Sequence, residues 1–409
     1  MEGKRLILTL SLKDFLSYGP DGMEIGLEPL NVLIGPNSSG KSNLIEAINV
    51  LRSTPKDLTA PIREGGGVSE WLWKGRTNQS SSITAEIGAT VDYPQGTMPL
   101  RYRLRFTSVA QRLEIVDEAI ENAHPTWPDQ PDVYFFYRFQ DGHPALNVRK
   151  SLEEPAGTSA GRAERRLQRE DVSPDQSVLS QRKDPDVYPE LTYLGNQFAG
   201  VRIYTDWSFG RYTAPRMPQP ADAPVDFLSE NGSNLGLVLN SLQNSPGAKR
   251  LIEENLRKFY PNAEDINPRI YGGTVQVFVL EKGLDQPVPA TRLSDGTLRF
   301  LCLLTLLCHP SPPPLICIEE PELGLHPDIL PTLAKLLIEA SQRTQIVVTT
   351  HSDTLVSALA DVPESIIVCD RDESGSHLRR LHPDQLKDWL KDCSLGELWL
   401  SGELGGTRW

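Results

Sequence analysis

Val32-Leu33-Ile34 is continuously apolar, as a strand buried on both faces must be. It runs without a break into Gly35-Pro36-Asn37-Ser38-Ser39-Gly40-Lys41-Ser42, and then into Leu44, Ile45, Ile48 and Leu51 at helical spacing. Strand, glycine loop and helix in direct succession commit this part of the chain to a sheet with a helix on its face. The loop satisfies G-x-x-x-x-G-K-S in the context that pattern requires, where backbone N–H groups and the helix N-terminus wrap a polyphosphate. Gly35 and Gly40 let the backbone approach phosphate oxygens closely, while Pro36, Asn37, Ser38 and Ser39 complete the turn. Lys41 is the group that reaches the outer phosphates, and the Ser42 hydroxyl is a ligand for Mg²⁺.

The final third repeats the same logic. Short apolar strands Val275–Leu280, Leu315–Ile318, Gln345–Thr349 and Ser365–Cys369 alternate with helices Leu298–Cys308, Asp328–Gln342 and Asp353–Ala360, which predicts an α/β fold with a mostly parallel central sheet covered on both faces. Residues 68–148 hold the β-like stretches Ser82–Val91, Leu100–Phe106 and Val133–Phe139 and read as an antiparallel β lobe. Residues 149–224 form a variable insertion whose first part, 149–186, is poor in large apolar residues and reads as mobile, and whose end, 213–224, is Pro-rich. Residues 225–370 carry the second half of the sheet, and 371–409 a C-terminal hairpin and helical extension.

The chemistry gathers at strand ends. Leu315–Ile318 is followed by Glu319-Glu320, two acids where α/β sheets present ligands. Glu319 is the metal-side candidate, acting through coordinated water, and Glu320 the general base. Gln345–Thr349 ends in Thr350-His351-Ser352, which puts His351 at the same sheet edge as a γ-phosphate sensor and an aid to orienting water. Leu293-Ser294-Asp295-Gly296-Thr297-Leu298-Arg299 opens an apolar helix, so Ser294 and the Gly296 backbone make a second anion-binding N-terminus.

With the phosphate loop, Ser-x-Gly cap, Glu-Glu pair and His in this order, the chain resembles the ABC-type ATPases of the SMC/RecF class. In particular it is similar to stand-alone bacterial AAA family ATPases related to the overcoming-lysogenization-defect proteins. The resemblance rests on Gly35–Ser42, Leu293–Arg299, Ile318-Glu319-Glu320-Pro321-Glu322 through Leu325-His326-Pro327, and Thr349–Ser352, and covers about residues 1–370. It implies a P-loop NTPase of ABC-ATPase head type that binds ATP and Mg²⁺. It also implies a homodimer in which Ser294 and Gly296 of one copy complete the ATP site of the other, and a switch in DNA repair or anti-phage defence working through a separately encoded effector. Two departures stand out: Glu319 where the family commonly has Asp, and Asp295-Gly296-Thr297 where its signature reads Gly-Gly-Gln. They keep a nucleotide-gated scaffold with negligible turnover as the alternative, with a transporter ATPase subunit behind it. Gln197 is the candidate for the family's glutamine loop.

Charge and composition limit the partners. Lys plus Arg number 41 against 54 Asp plus Glu, so the overall field repels nucleic acid and only a local patch could hold it. Arg101, Arg103 and Arg105 lie at period two and predict such a stripe on one strand face, available to duplex DNA. No apolar run reaches the roughly 20 residues of a membrane span, and the five cysteines form no CxxC pair, so a cytoplasmic protein with reduced thiols is expected. Asp370-Arg371-Asp372 suggests a nuclease, but the 58 residues after His351 fall short of the about 100 that such a domain needs, so cutting is expected from another protein.

Overall fold

The computed structural model describes residues 2–75, 83–125, 132–140, 142–149, 162–168, 171–205, 207–386, 389–391 and 393–406. Its central sheet has the strand order Arg202–Tyr204, Leu315–Glu319, Gln345–Thr349, Leu30–Ile34, Ile366–Asp372, Gly375–Arg380. The first five strands run parallel, and the last returns antiparallel through the turn expected at Asp372–Ser376. One of the two edge strands of the head sheet, Gly375–Arg380, thus comes from the C-terminal extension.

Strand pleat divides the core. Leu33, Cys317, Val347 and Ile367 point to one side, where they meet Leu44, Ile48 and Leu51 of helix Lys41–Ser53. Their neighbours Val32, Ile34, Ile318 and Val348 point to the other, onto Leu298, Leu301 and Leu304 of helix Asp295–Leu307. The phosphate-loop helix and the Ser-x-Gly helix therefore cover opposite faces of one sheet.

A second, eight-stranded antiparallel sheet packs on the first face. Its order is Met23–Gly26, Ile7–Lys13, Thr84–Val91, Leu100–Val109, Arg112–Asn122, Phe135–Gln140, His143–Arg149, Arg162–Arg166. It is larger than the lobe read from residues 68–148, borrowing its first strands from the N-terminus and its last from the 149–186 insertion. Most of that insertion before Arg162 lies outside the described residues. Buried Gln345 ties the sheets together: its amide oxygen accepts from the N–H groups of Leu6 and Ile7, and its amide nitrogen donates to Ile7 O and Glu28 O.

Arg101, Arg103 and Arg105 do share a face, with Tyr102, Leu104 and Phe106 buried on the other. The stripe is not a free basic surface, which corrects the expectation of an open DNA contact. Arg101 pairs with Glu121 at 2.7 Å, Arg103 with Asp117 at 3.3 Å, and Arg105 with Glu86 at 3.4 Å. The carboxylates come largely from Arg112–Asn122, the neighbouring strand, whose Asp117 and Glu121 are buried beneath that pairing.

Glu118 of the same strand faces inward and caps the short helix Val178–Gln181. It accepts from Tyr102 Oη at 2.8 Å, Ser177 Oγ at 2.5 Å and Val178 N at 3.0 Å. Burial outweighs these bonds and pushes its carboxyl up to about 6. A folded-state value above the unfolded one means that stability contributed by protonation is fully present below the ordinary carboxyl range and is lost as pH rises toward 6. Between those limits wild type is expected to lose about 2 kcal/mol relative to Glu118→Gln, measured by urea unfolding at stepped pH. Parallel stability profiles for the two proteins would contradict this.

Val275–Leu280, expected in the parallel sheet, instead belongs to a separate antiparallel sheet. Strand Thr274–Glu281 pairs there with Ala263–Tyr271, Gln219–Pro220 and Val288–Pro289. Its alternating burial betrays one solvent face, which a central parallel strand does not have. Helices Leu235–Gln243 and Pro246–Phe259 complete this lobe. At the C-terminus Leu386, Leu395, Leu398 and Trp399 enter the second core. Cys302, Cys308, Cys317 and Cys369 are buried and Cys393 is exposed.

Candidate nucleotide site

The glycine loop follows strand Leu30–Ile34, at the C-terminal edge of the central sheet. Gly35 and Gly40 both adopt positive φ, 147° and 103°. A Cβ on Gly35 would stand 2.2 Å from Cys369 O and one on Gly40 2.5 Å from Ser376 Oγ, so the turn admits no side chain at either place. Asn37 and Ser38 are exposed, and Ser38 also has a positive φ. Ser39 Oγ is buried without a partner. Lys41 Nζ donates to Gly35 O at 2.8 Å and Pro36 O at 2.9 Å, folding back on its own loop. Burial lowers the pKa of this ammonium, while Cys369, Glu320 and Glu319 act in the opposite direction. Pre-shaped backbone, an orphaned hydroxyl and a retractable cation fit a polyphosphate. Ser42 sits exposed in the first turn of the helix.

Two strands over, Glu319 closes strand Leu315–Glu319, in register with Thr349. Ser42 and Glu319 supply only oxygen donors, the chemistry Mg²⁺ selects. Glu320 leaves the strand in the left-handed region at φ 44°, uncommon for a residue other than glycine and a mark of a constrained position. Its N–H donates to Thr349 O, and its carbonyl receives Arg299 Nη1 at 3.4 Å. This turn aims the carboxylate at His351, with Nε2 3.6 Å from Glu320 Oε1. Burial and the Lys41 charge lower the His351 pKa, against Glu320 and Glu322 which raise it, so the ring is neutral at pH 7.

Glu322 is a member that the sequence reading left without a role. Its Oε1 accepts from Thr350 Oγ1 at 2.6 Å and from the His351 N–H at 3.0 Å, fixing the His351 loop to the turn after Glu320. The only sequence signal was its place in Glu319-Glu320-Pro321-Glu322.

Ser294 caps helix Asp295–Leu307, its Oγ accepting from Thr297 N at 3.0 Å, and the side chain stays exposed. Gly296 packs against the loop after Glu320, since a Cβ there would lie 2.6 Å from Gly324 O. Gln197 does not join the cluster. It sits in helix Pro189–Gly200, whose last residue abuts Pro314, at the opposite edge of the sheet.

A glycine cradle, two strand-end acids and a histidine on a mostly parallel sheet, with a capped Ser-x-Gly helix on the far face, define a P-loop NTPase head of the ABC type. The chain belongs to the family described as AAA domain, putative AbiEii toxin, Type IV TA system, which matches residues 30–134 and 136–357. It is 26% identical over 402 residues to the Old nuclease of Escherichia phage P2, an alignment covering 90% of this chain and 60% of the phage protein. The chain thus spans less than two thirds of that relative's length. Two SMC heads share the fold. The SmcHead bound to the C-winged helix domain of ScpA superposes with a TM-score of 0.57 at 16% identity, covering 93% of this chain and 99% of the other. An Smc head with an extended coiled coil, bound to the C-terminal domain of ScpA derived from Pyrococcus furiosus, gives 0.55 at 14% identity, with 95% and 99% covered. Together these findings place the chain among the SMC/RecF/overcoming-lysogenization-defect-like AAA ATPases. Among the described residues no helix is long and apolar enough to cross a membrane.

Proposed function

We propose that the protein is an ATP-operated switch that hydrolyses ATP and pairs with a second copy of itself around two nucleotides. The observation that carries this reading is the convergence of Glu320 and His351, 3.6 Å apart, at the same sheet edge as the glycine loop. The backbone N–H groups of the Gly35–Ser42 loop, Pro36 excepted, would cradle the phosphates of ATP, and Lys41 would turn out from Gly35 O and Pro36 O to the outer ones. Ser42 and Glu319 would hold Mg²⁺, which would neutralise phosphate charge there. Glu320 takes the proton of the attacking water, and neutral His351 donates toward the γ-phosphate. Ser294, exposed and on the opposite face of the sheet from helix Lys41–Ser53, is presented to another molecule, where Ser294 and Gly296 close the neighbour's site.

In the cell this switch would act in the cytoplasm, in DNA repair or anti-phage defence, by gating a separately encoded effector. Cutting, which the phage relative's name implies for that protein, is assigned to the effector, because the Asp370–Asp372 acids are already engaged. Asp370 Oδ1 accepts from Gly406 N, and Asp372 Oδ1 is held by Ser374 and His377. Direct DNA contact by Arg101, Arg103 and Arg105 gains no support from a ladder whose guanidiniums already face carboxylates.

The test is mass in solution. Wild type is expected to double its mass on adding Mg-ATP, and Ser294→Arg to remain a monomer while still binding nucleotide, because the added guanidinium fills the space the neighbouring phosphate needs. Mass unchanged by ATP in wild type rejects the sandwich.

A further inference from the structure

The Pro-rich segment 213–224 has no role in the reading above, yet it delivers one side chain to the Ser-x-Gly loop. Arg216 is a buried arginine, its side chain 7% exposed, and it makes five hydrogen bonds. Nε and Nη2 donate to Phe209 O, and Nη1 to Ala290 O at 3.2 Å and Leu293 O at 2.5 Å, the carbonyl directly before Ser294. Nη2 also reaches Asp295 Oδ1 at 2.5 Å. The planar fork thus binds backbone on both sides of a turn and a carboxylate at its tip, a task a lysine cannot copy.

Asp295 creates the problem that Arg216 answers. It lies between Ser294 and Gly296, its side chain is 70% exposed, and a carboxylate there repels any triphosphate brought to Ser294. We infer that Arg216 is a positioning residue for the shared ATP site: it fixes the Leu293–Asp295 turn in the conformation that presents Ser294, and it cancels the Asp295 charge facing the second copy's phosphates. This rests on the sandwich proposed above, and the test separates the two.

A residue acting on the neighbour's nucleotide is complemented in trans. Arg216→Met is expected to bind ATP at its own glycine loop like wild type but to lose ATPase activity by about tenfold or more. Lys41→Ala is inactive for the opposite reason. Mixed in equal amounts, the two should recover roughly a quarter of wild-type activity, since half the dimers are mixed and each holds one intact composite site. Ser294→Ala, which removes the hydroxyl without filling the interface, mixed with Lys41→Ala serves as the reference pair. Recovery in the reference pair without recovery for Arg216→Met overturns the inference, because the damage then acts within its own chain. Recovery in neither pair removes the sandwich, and the Arg216 role with it. If Arg216→Met does not fold, Arg216→Lys takes its place in the same mixtures. Adding Asp295→Asn to either variant should restore part of the activity; no gain overturns the charge-cancelling role.

Discussion

Glu320→Gln should lower single-turnover ATP hydrolysis about a hundredfold or more, within the range that removal of a general base costs. Gln keeps the shape of the side chain, so the left-handed turn at φ 44° and its anchors to Thr349 and Arg299 persist. What disappears is the capacity to accept a proton from water. ATP affinity should be unchanged, since Glu320 is not among the groups that wrap the phosphates. The variant should therefore accumulate in its ATP-bound, doubled form and dissociate slowly after dilution. Equal single-turnover rates for the two proteins would remove the catalytic assignment and leave the scaffold alternative, in which nucleotide joins molecules without being consumed. His351 gives an internal control: it is neutral at pH 7, so acidification that charges it should change the rate of wild type far more than that of the already slow Gln variant.

The second large effect concerns Lys41. Lys41→Met should weaken Mg-ATP binding by about tenfold to a hundredfold, the worth of losing charge-assisted bonds to phosphate. The same change should leave the stability of the nucleotide-free protein within about 1 kcal/mol, because removing a poorly solvated ammonium offsets the loss of its bonds to Gly35 O and Pro36 O. Thermal melts with and without Mg-ATP read both quantities. Wild type gains stability with ligand concentration, and the variant needs about ten to a hundred times more ligand for the same gain. A large drop in the ligand-free melting temperature would show instead that Lys41 is chiefly a structural plug of the loop.

The parts of this molecule that were legible in its sequence are those where one physical demand dominates. Leu30–Ile34, Leu315–Glu319 and Gln345–Thr349 are almost wholly buried, and an unbroken apolar run is the direct trace of that. Their ends placed Glu320 and His351 together without any contact being known. The strand Arg112–Asn122 escaped for the converse reason. Asp117, Glu118 and Glu121 look like solvated residues until Arg101, Arg103 and Tyr102 arrive from the adjacent strand. Val275–Leu280 was assigned to the wrong sheet because a short apolar run does not say which strand it will pair with. Arg216 was invisible, since a lone arginine in a Pro-rich loop is solvated by default and its acceptors come from two distant stretches of chain, Phe209 and Ala290–Asp295. The link from Glu322 to His351 joins two loops 29 residues apart.

The distribution of thiols supplies a practical handle. Cys308 and Cys369 are pushed up to about 12 by burial, and Cys302 and Cys317 higher still, so all four are shielded from reagent and remain un-ionised at neutral pH. Cys393, beside helix Leu395–Leu400, is exposed to solvent. A maleimide dye should therefore attach at one defined point on the unmodified polypeptide. Energy transfer between donor- and acceptor-labelled copies would then follow their meeting and parting in real time, with every native cysteine left in place.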